Sequence, residues 1–455
     1  MENLLVYNAL IVNEGARFKG SILIQNKKIQ TIFKKQIPPS VLKNSLKLDA
    51  QGKYVLPGII DVHVHFREPG LTHKGDIFSE SKAAIAGGIT SFMEMPNTNP
   101  QTITQDLLEE KYEIASRTSL ANFSFYMGAT NNNLEELIKT DPTTNCGIKV
   151  FMGASTGNML VDDIESLKKI FLLAPLLIAV HCEDESTIQK NSKEFKSKYD
   201  KKIPVQFHPF IRSAEACYKS SSLAIELAKK NNTRLHLLHI STAKETGLLD
   251  NTIPAKDKQI TAEVCVHHLL FDNNDYKKLG TRIKWNPAIK TRQDRKELLK
   301  AVLNNKIDVI ATDHAPHTIE EKQNSYLSAP SGGPFVQHSL VTLLEFYHQG
   351  KISLEKIVEK MCHTPADIFQ IEKRGYIRKG YYGDLVIVDL NTTWTVTKEN
   401  ILYKCKWSPL EGQVFHSKIT HTIVNGNLVY ENQAAGNQIE KFDKSLKGQR
   451  LFFNR

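Results

Sequence analysis

At 455 residues, with 24% charged and 41% apolar side chains, the chain has an ordinary globular composition and is long enough for one large barrel-type domain plus a smaller one. Its formal charge of +10, from 59 basic and 49 acidic residues, raises three kinds of partner: nucleic acid, a membrane surface or a small anion. The lysines are scattered rather than interleaved with aromatics, and no run of about 18 apolar residues occurs, so nucleic acid and membrane are set aside and a small anionic substrate is kept.

In chain order, Leu4 to Phe33, with Asn26-Lys27-Lys28 as a turn, reads as short strands and hairpins. From Leu56 to about Ile371 apolar β-rich runs alternate with amphipathic helical stretches, the pattern of βα units. Eight strand candidates follow: Ile59 to His65, Ile89 to Met95, Phe123 to Met127, Gly147 to Phe151, Leu177 to His181, Leu235 to His239, Ile260 to Val266 and Val309 to Asp313. Eight repeats predict a closed (β/α)8 barrel, an α/β fold, over residues 56–374. Asp384 to Glu431, with Asn425-Gly426-Asn427, again reads as strands, so residues 1–55 and 375–431 are expected to form one small β-sandwich domain from both termini. Residues 432–455 are a polar extension whose charges, Lys441, Lys444, Lys447, Arg450 and Arg455, read as a solvated face.

The six cysteines, Cys146, Cys182, Cys217, Cys265, Cys362 and Cys405, contain no Cys-x-x-Cys pair and fit reduced thiols. Met1-Glu2-Asn3-Leu4 lacks the basic and apolar regions of a secretory leader. A cytoplasmic location is expected.

The chemistry gathers at strand ends. In a strand, His63 and His65 project the same way, and two neutral imidazoles converging at the mouth of a buried strand suit a catalytic metal ion. Taken alone, the pair is more often a surface or core feature. Lys149 in strand four, His181 closing strand five, His239 closing strand six and Asp313 closing strand eight fall on the face where such barrels keep their active sites. Lys149 is the odd member, because an ammonium beside a divalent cation is repelled. Either it is structural or substrate-facing, or its amine is carboxylated to an anion able to bridge two metals.

The segment His63 to Gly70 with His73-Lys74, Met95-Pro96-Asn97-Thr98, Gly147 to Phe151, Val180-His181-Cys182-Glu183, Ile310 to His317 and Ser331-Gly332-Gly333-Pro334 resembles the amidohydrolase superfamily and, within it, the dihydroorotase family. The resemblance covers nearly the whole chain. It implies reversible hydrolysis of the cyclic amide of dihydroorotate to N-carbamoyl-aspartate in pyrimidine biosynthesis. It further implies two Zn2+ held by His63, His65, carboxylated Lys149, His181, His239 and Asp313, with a bridging hydroxide, Asp313 as the catalytic proton carrier, and a homodimer. By the same likeness Arg67, Asn97 and His317 meet the substrate carboxylate, while Asn286, Gly332 and Gly333 meet the ring. Alternatives at single positions are an Arg67–Glu68 salt bridge or a surface role for Arg67, and a turn role for Asn286 before Pro287.

This sequence departs from the family pattern at Lys290, where arginine is common, and at Ala288, which replaces a second proline; some branches carry aspartate where Lys149 stands. The stretch Ser155-Thr156-Gly157-Asn158 is either a loop that closes over substrate or a polar turn. Allantoinase or hydantoinase chemistry is the competing enzymatic reading. A non-catalytic scaffold relative is the competing class, and such relatives typically lack metal ligands that are all present here.

Overall fold

The computed structural model describes residues 3–153, 159–200, 202–433 and 439–455. The Ser155 to Asn158 stretch lies outside the described residues. The N-terminal strands β1 (Asn3–Asn13), β2 (Ala16–Gln25), β3 (Lys28–Phe33), β4 (Ser45–Asp49) and β5 (Tyr54–Pro57) precede eight strands of a second sheet. These are β6 (Ile59–Val64), β7 (Ile89–Glu94), β8 (Asn122–Gly128), β9 (Gly147–Phe151), β10 (Ile178–His181), β11 (Leu235–Leu237), β12 (Ile260–Cys265) and β13 (Val309–Ala311). After them come β14 (Leu385–Asp389), a two-stranded ribbon of β15 (Trp394–Thr395) and β16 (Val414–Phe415), then β17 (Lys418–Val424), β18 (Asn427–Gln433) and β19 (Ile439–Phe442).

Strands β6 to β13 pair in sequence order, all parallel. Nearly every residue in them is buried, because helices cover one face and the barrel interior the other, which explains the near-continuous apolar runs. The barrel closes where His65 N donates to the His314 carbonyl at 2.7 Å and Val64 bridges His314. Two strands end two residues earlier than the sequence suggests. β11 stops at Leu237 and β13 at Ala311, since His239 (φ 40°) and Asp313 (φ 46°) turn into the left-handed region and leave the ladder. That turn swings both side chains out at the strand mouths.

The other large sheet is nine-stranded, in order β19-β18-β17-β14-β5-β1-β2-β3 with β4 on β1, so strands from the two ends of the chain join in one sheet where β14 pairs with β5. Its hairpins turn at Asn26-Lys27 (φ 49° and 70°) and Asn425-Gly426 (φ 51° and 76°), the positive-φ pairs that match strand twist in two-residue loops.

The tail departs from the solvated-face reading. Lys441, Lys444 and Lys447 are exposed. Arg450, however, stacks 3.5 Å above the Tyr112 ring and pairs with Glu109, and the Arg455 guanidinium donates to the Asn145, Cys146 and Phe369 carbonyls. Leu451 and Phe453 are buried among Ile60, Tyr126, Cys146 and Leu177. The tail backbone is tied in by bonds from Leu451 N to Phe123 O and from Phe453 N to Thr143 O, each 2.9 Å. Only glycine fits at 448, where a Cβ would lie 1.8 Å from the Ala121 carbonyl. The tail therefore plugs the barrel end opposite the strand mouths. Truncating a fully buried leucine removes its transfer energy and leaves a cavity, so Leu451→Ala is expected to cost about 2 to 5 kcal/mol, read as a lowered urea midpoint; an unchanged midpoint would show that the plug contributes nothing.

Candidate metal centre

At the strand mouths the polar side chains fall into two groups. His63 Nε2 and His65 Nε2 lie 3.3 and 3.1 Å from Asp313 Oδ1. His181 Nδ1 and His239 Nε2 face one another at 2.9 Å. The His63 and His239 ring centroids are 5.3 Å apart, so the groups are adjacent. Lys149, on β9 beside β10, lines the same pocket with its Nζ 4.5 Å from the Phe151 ring centroid.

Two of the four remaining imidazole nitrogens have a hydrogen-bond partner that orients them. His63 Nδ1 meets Glu263 Oε1 at 2.5 Å and His65 Nδ1 meets Asn97 Oδ1 at 2.7 Å, while His181 Nε2 lies 3.2 Å from Glu183 Oε2 without hydrogen-bond geometry. His239 Nδ1 is buried with no hydrogen-bond partner among the described residues. Glu183 is itself paired with Arg212, and Glu263 is gripped from its other side by His236 Nε2 at 3.3 Å. A carboxylate or carbonyl oxygen behind a histidine fixes its tautomer and aims its other nitrogen, an arrangement common behind metal ligands.

The electrostatics suit metal ligation. Burial pushes His65 down to about 4 and lowers His181 and His239 as well, so at neutral pH these rings carry lone pairs. Burial alone would raise the Asp313 carboxyl, but His63 and His65 beside it hold it below the usual carboxylate range. Burial likewise works against ionisation of Glu263, yet His63 and His236 bring it down to about 2. Lys149 is pushed down to about 7 by burial, against the pull of Glu263 and Asp313, so much of it is the neutral amine that carboxylation requires. Neutral imidazoles, an ionised carboxylate and a nucleophilic amine around one buried point form a donor set that fits divalent metal.

The pocket above these groups is also lined by Arg67, Asn97, Trp285, Asn286, Ser331 and Gly332. Arg67 does not pair with Glu68. Its φ of 74° turns it inward, where it is 2% exposed, while Glu68 caps the Ile77 amide. Arg67 Nε donates to the Pro316 carbonyl at 3.0 Å, and burial lowers the guanidinium to about 10, leaving it charged at neutral pH. Asn286 lines the pocket, and its Oδ1 is buried without a hydrogen-bond partner among the described residues. At Gly332 (φ 120°) a Cβ would lie 2.7 Å from the Ala315 carbonyl, so a side chain is excluded.

Two expected substrate contacts sit one layer back. His317 lies behind Arg67, its Nε2 3.1 Å from Arg67 NH2 and 3.0 Å from the Ser331 carbonyl, and it does not line the pocket. Gly333 packs against the Trp285 indole, where a Cβ would come within 2.8 Å. Glu263 and the inward role of Glu183 escape a reading of the sequence, although an acidic residue inside the apolar run Ile260 to Val266 is itself a signal, since carboxylates are seldom buried without a task. Glu263→Gln, which replaces the anion on His63 with a neutral amide, is expected to weaken metal binding about 10- to 100-fold, measured by competition with a chelating dye; unaltered affinity would assign Glu263 a purely structural place.

Fold and site together define a barrel hydrolase with a buried metal-binding mouth. The chain belongs to the amidohydrolase family, whose pattern matches residues 54–429. It is 32% identical to a dihydroorotase of Methanosphaera stadtmanae over 97% of this chain and 99% of that one. It is 34% identical to a dihydroorotase of Pyrococcus furiosus over 91% and 89%. Among solved structures it is similar to an L-hydantoinase (dihydropyrimidinase) from Arthrobacter aurescens, with a TM-score of 0.89, 27% identity and coverage of 96% and 98%. A dihydropyrimidinase from Brevibacillus agri NCHU1002 shares the fold at a TM-score of 0.87 and 23% identity, over 100% of both chains.

Proposed function

We propose that the protein catalyses the reversible hydrolysis of dihydroorotate to N-carbamoyl-aspartate. The observation that carries this reading is Arg67, a buried and charged guanidinium in the wall of a pocket floored by the imidazole and carboxylate cluster. A cation kept out of water beside a hydrolytic centre selects an anionic substrate, and its planar fork matches a carboxylate. The dihydroorotase relatives support the same reading. The hydantoinase likeness supports a cyclic amide as the substrate class, and a neutral cyclic amide is the second reading it favours.

Two zinc ions belong to the proposal: His63, His65 and Asp313 would hold one, His181 and His239 the other, and Lys149, once carboxylated, would supply an anion to both. Such ions would polarise the amide carbonyl and make a water acidic enough to attack near neutral pH. Arg67 binds the substrate carboxylate, and Asn286 with the Gly332 backbone orients the ring. Asp313 takes the proton of the attacking water at its carboxylate and returns it to the ring nitrogen as the carbon–nitrogen bond breaks. In the cyclisation direction Asp313 starts protonated. Glu263, Asn97 and Glu183 hold the imidazoles in place throughout. A homodimer belongs to this reading through the resemblance alone, and a cytoplasmic location through the unpaired cysteines and the N-terminal residues.

Incubation of the purified, zinc-loaded protein with dihydroorotate tests it. The expected product is N-carbamoyl-aspartate, formed at a rate abolished by chelation, with dihydroorotate re-forming from that product at lower pH. Absence of ring opening by the metal-loaded protein would overturn the assignment.

A further inference from the structure

Behind Arg67 lies a chain of groups that no step above uses. Lys74 Nζ is 3.1 Å from His317 Nδ1 and 2.8 Å from Glu321 Oε1. Glu321 Oε2 accepts from the Thr318 amide at 2.9 Å, which fixes the carboxylate at the start of a short helix, and it stands 3.7 Å from His317 Nδ1. His73 Nε2 is 3.9 Å from Glu321 on the exposed side. On the far edge of the imidazole, Nε2 has two neighbours of opposite kind, the Ser331 carbonyl and Arg67 NH2.

His317 is buried, and burial together with the Arg67 guanidinium pushes it well below its ordinary pKa, so the ring is neutral with one N–H and one lone pair. Two tautomers compete. With the proton on Nε2, Lys74 donates to Nδ1 at 3.1 Å and Nε2 donates to the Ser331 carbonyl at 3.0 Å, which satisfies both edges. With the proton on Nδ1, its acceptor is Glu321 at 3.7 Å, beyond hydrogen-bond reach, and Nε2 becomes an acceptor for Arg67 NH2. The first arrangement makes two good bonds where the second makes one. It also leaves Arg67 NH2 unbound by His317 and keeps the Ser331 carbonyl, part of the pocket wall, tied back. Without Lys74 the balance reverses, because the freed Glu321 carboxylate attracts the imidazole proton to Nδ1.

We propose that Lys74 is a positioning residue for substrate recognition: by capping His317 Nδ1 it fixes the proton on Nε2 and so keeps the Arg67 fork available to the carboxylate of an anionic cyclic amide. This rests on the proposed function for its substrate, but the tautomer itself does not. Lysine at this position thus acts on binding through two intervening side chains and touches neither substrate nor the metal ligands.

The test uses the full-length, metal-loaded protein in two arms. In the first, 15N-histidine spectra, with the His317 signal assigned by its absence from His317→Gln, are expected to show Nε2 protonated in the wild type and Nδ1 protonated in Lys74→Met. In the second, Lys74→Met is expected to raise the KM for dihydroorotate about 10- to 100-fold while kcat falls less than about threefold, the pattern of a lost binding contact. Lys74→Arg should keep the wild-type tautomer and KM. The double variant Lys74→Met/Glu321→Gln, which removes the anion that draws the proton, should recover most of the lost affinity. An unchanged tautomer in Lys74→Met, a fall confined to kcat, or no recovery in the double variant each overturns the proposal. A protein that shows the tautomer inversion but turns over no dihydroorotate overturns the reaction assignment instead, so the two failures are distinguishable.

Discussion

Lys149→Ala is expected to lose at least about 10³-fold in kcat and to hold substantially less metal than the wild type, a loss worth about 4 kcal/mol of transition-state stabilisation. The reasoning begins with burial. Lys149 is 1% exposed in the pocket floor among four histidines, and its amine is pushed down to about 7, so an ordinary ammonium is disfavoured there. In the proposed centre, reaction of the neutral amine with dissolved carbon dioxide would release a proton and leave an anion where two cations would need one. Without that anion both ions of the proposed centre would be held by neutral rings and a single carboxylate. Metal content by mass spectrometry, read beside kcat and a thermal melt, separates this from a folding defect. Full turnover with two tightly held metals in the variant would contradict the bridging role, and so would wild-type protein reconstituting equally well in carbon-dioxide-free buffer.

Arg67→Ala is expected to lower kcat/KM on dihydroorotate by about 30- to 1,000-fold, the equivalent of about 2 to 4 kcal/mol for a charge-assisted bond to substrate lost in a buried site. The same variant should change turnover of a neutral ring such as dihydrouracil far less, because that substrate has no carboxylate to lose. The guanidinium is held by the Pro316 carbonyl and flanked by His317, so its removal also frees space that water can fill, and this weakens binding further without touching the metal ligands. Equal losses on both substrates would show that Arg67 shapes the pocket and does not read charge.

Much of this was legible because of how parallel barrels are built. Strands buried on both faces must be apolar throughout, so the eight runs stand out, and the polar residues that interrupt them at their ends, His63, His65, His181, His239 and Asp313, stand out equally. What hid was whatever depends on neighbours distant in sequence. Glu263 reaches His63 only because barrel closure brings together residues 200 positions apart, and no local pattern reports which imidazole nitrogen a carboxylate meets. His317 looked like a substrate contact by its motif, yet the inward turn of Arg67 places the guanidinium in front of it. The tail was read by its lysines. Leu451 and Phe453, two residues apart and therefore on one side of an extended segment, were the signal that it packs inward.

The most direct test of the whole account is the ratio of kcat/KM for dihydroorotate to that for dihydrouracil, measured on the zinc-loaded protein in one buffer. A buried cation facing the reacting centre predicts a ratio above about 10², collapsing toward unity in Arg67→Ala. A wild-type ratio near or below one would place the protein with enzymes of neutral cyclic amides and contradict the account.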